Sequence, residues 1–269
     1  MTSRMTRVLA ASLLVLVATI APADAGPRIE GGIDTVQQLF YNGRYADAAA
    51  QSQALPVDDE RLAVYELRTT ALLFQVRRAI GEPVDKEKAL KACTACPALL
   101  EAFTREFEAG RAAAREMLRT DPKDPVALFF LGKLNLNFVW LHLGTLGKRT
   151  GWNEYWEARH SLDETLVLQP DYLRARVARA WIDYIVDTRM PWGTGWLLGG
   201  GNKKRALSVM RDAAERREDF YAHAEALFGL WDMQVREKND AEALRAARRI
   251  AEIFPENPEV ARFIAARTK

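Results

Sequence analysis

Several things are scarce in this sequence. Among 269 residues there are two cysteines, three histidines and a formal net charge of only +2, from 38 basic and 36 acidic side chains. A balance that close leaves no excess positive field to gather nucleic acid, so a dedicated DNA or RNA binder is excluded as an expectation. Two cysteines cannot staple a disulfide-dense scaffold. No segment shows clean period-two alternation, and no Asn-Gly or Asp-Gly pair marks a hairpin, so sheet is not expected.

The long apolar run is confined to the start. Arg4 and Arg7 precede a nearly unbroken apolar stretch from Val8 to Ala21, followed by the small-residue site Ala23-Asp24-Ala25. That pattern reads as a secretory signal over residues 1–25, cut before Gly26. The stretch is short of the roughly 20 residues that a spanning helix needs. The expectation is an exported, periplasmic or secreted protein without a transmembrane segment after cleavage, and with residues 26–269 as one domain. No cysteine lies at the cleavage point to carry a lipid.

What remains is rich in alanine, leucine, arginine and glutamate, which are good helix formers. The fold class is therefore all-α. Several segments share a pattern of a short polar or glycine turn, then alanine on a helix, then an apolar residue and often proline. They include Gly43 to Ala48, Tyr155 to Ala158 with Leu162 and Pro170, Gly201 to Ala213, and Asn239 to Ile250 with Pro255. A weaker copy runs from Gly110 to Pro122. Small residues let two helices approach closely, and proline ends the second one.

These residues resemble the tetratricopeptide repeat, a helix–turn–helix unit of about 34 residues. The resemblance implies a TPR-like α-solenoid of stacked antiparallel hairpins, with degenerate units near 33–66, 89–124, 125–170, 171–218 and 219–258. Two spacings depart from it: Pro122 to Pro170 and Ala158 to Ala206 are each 48 residues, against 37 from Ala206 to Ala243. The surplus marks two enlarged insertions. Stacked hairpins leave a concave surface that such scaffolds use for peptides or partner proteins.

Three stretches break the repeat rule. Val126 to Gly144 is too apolar for a surface helix, yet it carries Lys133, Asn135, Asn137 and His142. It is either a central helix with its polar groups hydrogen-bonded, or a wall that turns Asn135, Asn137 and Trp140 toward a groove. The insertions follow, Leu146 to Trp156 and Asp187 to Gly201, and both combine glycine with tryptophan: Trp152 and Trp156 in the first, Trp192 and Trp196 in the second. Glycines 144, 147 and 151 are expected to break the helix. The indoles either plug each loop onto the core or form a ligand platform. Together with Tyr184, these residues are the candidate binding set.

The glycine run at 199–201 lacks the Gly-Lys-Ser/Thr order of a phosphate loop. It reads instead as a tight turn with Asn202 capping the next helix. Cys93 and Cys96 have Pro97 where haem attachment needs histidine, and no strand precedes them. A local disulfide, a pair of free thiols or a redox role remains. The three histidines form no metal motif with the cysteines, and no nucleophile elbow or catalytic triad is legible. No catalytic residue, cofactor or metal is expected, and the protein is read as a non-enzyme.

The function expected is an exported interaction module that binds a protein or peptide through its concave face and Trp-bearing loops. A second reading rests on Arg189-Met190-Pro191 through Leu197-Leu198-Gly199-Gly200 and the Ala206 helix. This segment resembles the T component of tripartite ATP-independent periplasmic transporters, which implies a small apolar ligand in a channel. The lipid-anchor cysteine usual in that family is missing here.

Overall fold

The computed structural model describes residues 32–55, 61–190 and 195–268. The signal-sequence expectation and Trp192 lie outside those residues. The described chain is all-helical, with no strand: α1 Ile33–Tyr41, α2 Tyr45–Ser52, α3 Arg61–Ile80, α4 Lys86–Ala92, α5 Cys96–Thr120, α6 Pro125–Val139, α7 Trp152–Leu168, α8 Leu173–Arg189, α9 Lys203–Glu215, α10 Phe220–Arg236, α11 Asp240–Ile253 and α12 Pro258–Arg267. A π-helical turn, Trp140–Thr145, continues α6, and a single 3-10 turn, Gly195–Leu198, precedes α9.

Six helix starts are fixed by side chains that accept otherwise orphaned amide hydrogens. Asp124 caps α6 through Val126 N and Ala127 N, and Asn257 caps α12 through Glu259 N and Val260 N; each is followed by proline, which suits the first helical position. Asn202 accepts from Arg205 N and so begins α9, as its sequence position suggests. Asp219 and Asn239 do the same for α10 and α11. Cys93 and Cys96 form a disulfide across the turn between α4 and α5.

Helices close in sequence pack on one another: α3 on α5, α5 on α6, α6 on α7, α8 on α9, α9 on α10 and α10 on α11. Alanine and glycine set the closest approaches. Ala158, Ala206, Ala213, Ala243 and Ala247 are fully buried. A Cβ at Gly132 of α6 would lie 2.8 Å from Leu162 Cγ and 3.3 Å from the Ala158 carbonyl of α7. With no space between α6 and α7, Ala158→Leu is expected to overpack the contact and cost about 1–3 kcal/mol. Thermal melting checks this, and an unchanged midpoint would mean that the two helices can separate freely.

The first and last helices also meet. Asn257 donates to the Tyr41 carbonyl at 2.7 Å, and the Asn42 side chain accepts from Glu256 N at 3.1 Å. The Tyr41 ring lies 5.2 Å from both Phe228 and Phe254. Inner faces of α1, α3, α6 and α10 therefore converge. Helix α6 with its π turn, Pro125–Thr145, is long and apolar enough to cross a membrane, but 72% of its most apolar window is buried inside the bundle. It is the central helix of the packing.

Three polar side chains of α6 reach neighbouring groups, though Asn135 Oδ1 is buried without a donor. Lys133 Nζ lies 2.6 Å from Glu225 of α10 and 3.7 Å from Glu66 of α3. Asn137 Nδ2 donates to Thr69 Oγ1 at 3.0 Å and Thr70 Oγ1 at 2.8 Å. Asn135 Nδ2 donates to the Leu131 carbonyl and to Glu157, each at 2.9 Å. Glu157 in turn receives Arg111 and Arg115 from α5. Burial acts to raise the Glu157 carboxyl, but those two arginines hold it below its usual range.

Candidate functional site

The two insertions lie at the same end of the molecule, because α7 begins where α8 ends. In the first, Gly144 does not break the helix as expected. The backbone instead widens into a π turn, with Leu146 N bonded to the Leu141 carbonyl at 2.9 Å. Such a turn keeps Leu141 buried while Leu143 faces outward. The chain then breaks at Gly147 and Gly151, which take φ of 68° and 94°. Only glycine adopts those values at no steric cost. Lys148 N donates to the His142 carbonyl at 2.8 Å, and Lys86 Nζ to the Gly144 carbonyl at 2.7 Å, so this loop is fastened at both sides. Burial, with Lys148 nearby, holds the His142 imidazole below its usual range.

The second insertion is held by one buried cation. Arg159 of α7 is only 8% exposed. Its guanidinium donates to the carbonyls of Leu198 at 2.9 Å, Gly200 at 3.1 Å and Gly199. Tyr155, one helical turn earlier, donates its hydroxyl to the same Leu198 carbonyl at 2.7 Å. Five fixed donors on a planar fork suit a curved row of carbonyls, which explains the glycine run. Gly199 has φ of 75°, and a Cβ there would fall 2.7 Å from Arg159 Nε. At Gly201 a Cβ would meet the Asp183 carbonyl at 2.5 Å and Asp187 N at 2.6 Å, where the start of α9 abuts the end of α8. Asp187 completes the junction by accepting from Lys203 N at 2.6 Å.

On this locked frame the indoles divide into two groups. Trp152 is 59% exposed, Trp196 73% and Leu197 49%. Trp152 stacks on Tyr155, with centroids 6.2 Å apart and planes 26° apart, so one ring face rests on the protein body and the other is open. Trp156 is half-buried, edge-on to Tyr155 at 5.4 Å and beside His160 at 5.6 Å. Trp140 is half-buried against Trp181 at 6.2 Å. Asn135, Asn137 and Tyr184 are buried between helices, and the Tyr184 hydroxyl contacts the Met233 carbonyl and Glu237. Of the candidate set, Trp152 and Trp196 are brought to one exposed rim.

Residues outside the sequence-derived set prove structurally central. Arg159 is one. Another is the inner cluster around Lys133, where the ammonium lies 5.7 Å from the Tyr221 ring centroid and Arg174 pairs with Asp219 at 2.8 Å. Burial pulls the Lys133 ammonium down, but Glu225 and Glu66 outweigh it and hold the group charged beyond its usual range. Burial pushes the Glu225 carboxyl up, against the pull of Lys133. One Glu225 oxygen, Oε2, is buried without a hydrogen-bond donor. The local hint of this cluster is that Lys133 is the one charged residue in the run from Val126 to Gly144.

Grooves lie on other faces. One of about 530 Å³ runs between α9, α10 and α11, where Arg249 and Glu215 pair at 2.6 Å and Arg245 pairs with Glu242. Among the described residues, no three metal-ligating side chains are grouped to hold an ion. No family model matches this sequence, and no curated protein is similar to it either.

Proposed function

We propose that this protein is an exported TPR-like interaction module whose Trp-bearing rim docks a partner protein. One observation carries the reading. Trp152, at the start of α7, and Trp196, in the turn whose carbonyls at 198–200 are held by Arg159 and Tyr155, present large apolar surfaces to solvent. Rigid exposed aromatics lose little conformational freedom on association and are the usual anchors of interfaces. An indole that merely plugged its loop would bury its ring, as Trp156 and Trp140 largely do. The long spacing between repeat-like units is then the cost of building this rim. A small apolar ligand, the other expectation, would have to sit among the inner side chains, where Lys133, Glu66 and Glu225 converge. Charged groups suit an apolar guest poorly, so rim docking is the reading we carry forward.

Trp152→Ala combined with Trp196→Ala tests it. Both residues are exposed, so the melting temperature is expected to hold while affinity for a co-purifying partner falls about a hundredfold or more. A partner retained at full affinity by the folded double variant would remove the rim from the function.

A further inference from the structure

We infer that the rim recognises an acidic segment of its partner, one that carries apolar side chains between carboxylates; this rests on the rim-docking reading above. The chain as a whole is nearly neutral, at +2. The rim is not. Lys148 and Arg149 lie four and three residues before Trp152, Arg189 ends α8, and Lys204 and Arg205 are in the first turn of α9, after the turn that carries Trp196 and Leu197. All five are exposed, and none of them forms an ion pair among the described residues.

The acidic groups at the same end are already engaged. Asp187 accepts from Lys203 N, Lys203 Nζ pairs with Glu237 at 2.8 Å, and Glu154 faces Arg111 at 3.7 Å. Elsewhere some surface arginines are matched, as Arg236 is by Asp232 and Arg249 by Glu215, while Arg211, Arg217 and Arg248 are exposed with no ion pair among the described residues. What distinguishes this rim is that its unpaired cations flank two open indoles in the chain. Such cations are complementary to carboxylates, steer their approach and reject basic segments.

Exposed tryptophan beside lysine and arginine also suits an anionic bilayer. The setting of Trp152 favours a peptide. Its ring leans on Tyr155 in an offset stack, and the Tyr155 hydroxyl is tied to Leu198, so the indole is backed by the protein and offers a face for a side chain to rest on. A residue that enters lipid would project its whole ring.

The test uses the intact chain and three fluorescent peptides that share leucine and tryptophan positions. Their remaining positions are Glu/Asp, Lys or Gln/Ser, and anisotropy is read at low and physiological salt. The acidic peptide is expected to bind best and to weaken as salt rises. Lys148→Glu with Arg149→Glu, and separately Trp196→Ala, should each lower its affinity about tenfold or more at an unchanged melting temperature. Equal, Trp196-dependent binding of all three peptides would overturn the acidic class and leave rim docking standing. Acidic binding indifferent to both variants would overturn rim docking itself. If no peptide binds but phosphatidylglycerol vesicles, and not phosphatidylcholine ones, take up the chain through Trp196, the rim is assigned to lipid and the inference fails. It fails equally if neither peptides nor vesicles bind.

Discussion

Lys133→Met is expected to destabilise the protein by about 3–5 kcal/mol at neutral pH, because it leaves Glu66 and Glu225 buried with no cation between them. For a chain of this size, that lowers the melting temperature by about 2–4 °C per kcal/mol. The pH dependence distinguishes this cause from a simple packing defect. The raised carboxyl of Glu225 gives its contribution to stability below the usual carboxylate range and loses it as pH rises through the folded value. Removing Lys133 enlarges that loss, so the variant's deficit should shrink in mild acid, where Glu225 takes up a proton. Lys133 in the native chain behaves with the same sign at the other end of the scale. Its raised ammonium supports the fold below the usual lysine range, and that support is lost as pH rises past the folded value. Urea melts of both proteins at neutral and mildly acid pH measure the difference. Adding Glu66→Gln and Glu225→Gln should recover most of the stability, since a neutral trio leaves no bare charge. A deficit that stays the same in acid would assign the loss to packing.

Arg159→Met is expected to cost about 2–4 kcal/mol, because the carbonyls of Leu198, Gly199 and Gly200 lose their charged donor together. Methionine fills much of the volume, so the effect isolates the hydrogen bonds. Arg159→Lys should rescue little, since one ammonium cannot span a row of carbonyls as a planar fork does. Limited proteolysis gives the local readout. Cleavage near residues 195–200 should accelerate far more than cleavage in α3 or α10, and partner affinity at Trp196 should fall with it. Uniform acceleration across the chain would mean that Arg159 supports the whole fold and not the turn in particular.

How far the sequence reveals this molecule differs from element to element. Helices α6, α9, α10 and α12 begin at Asp124, Asn202, Asp219 and Asn257, residues whose short acceptor side chains reach their own helix amides. That chemistry spans two or three residues and can be read directly. The alanines at 158, 206, 213 and 243 likewise announce close helix contacts, and all are fully buried. The π turn after α6 escapes such reading, because Gly144 normally signals a break and here the chain keeps bonding through it. The candidate set mixed exposed and buried residues for a similar reason. Trp152 and Trp156 sit on the same helix one turn apart, and composition alone does not say which one the body covers.

Local composition and spacing by themselves determined the helical class, the capped helix starts, the small-residue seams and the two glycine–tryptophan insertions. Folding in three dimensions decided the rest. It joined Lys133 to carboxylates 67 and 92 residues away, set Arg159 under carbonyls about 40 residues on, and closed Tyr41 against Asn257. Caps and periodicity act within a turn or two of helix, whereas buried charge pairs depend on which distant faces meet. Only the finished packing brings those faces within hydrogen-bond reach.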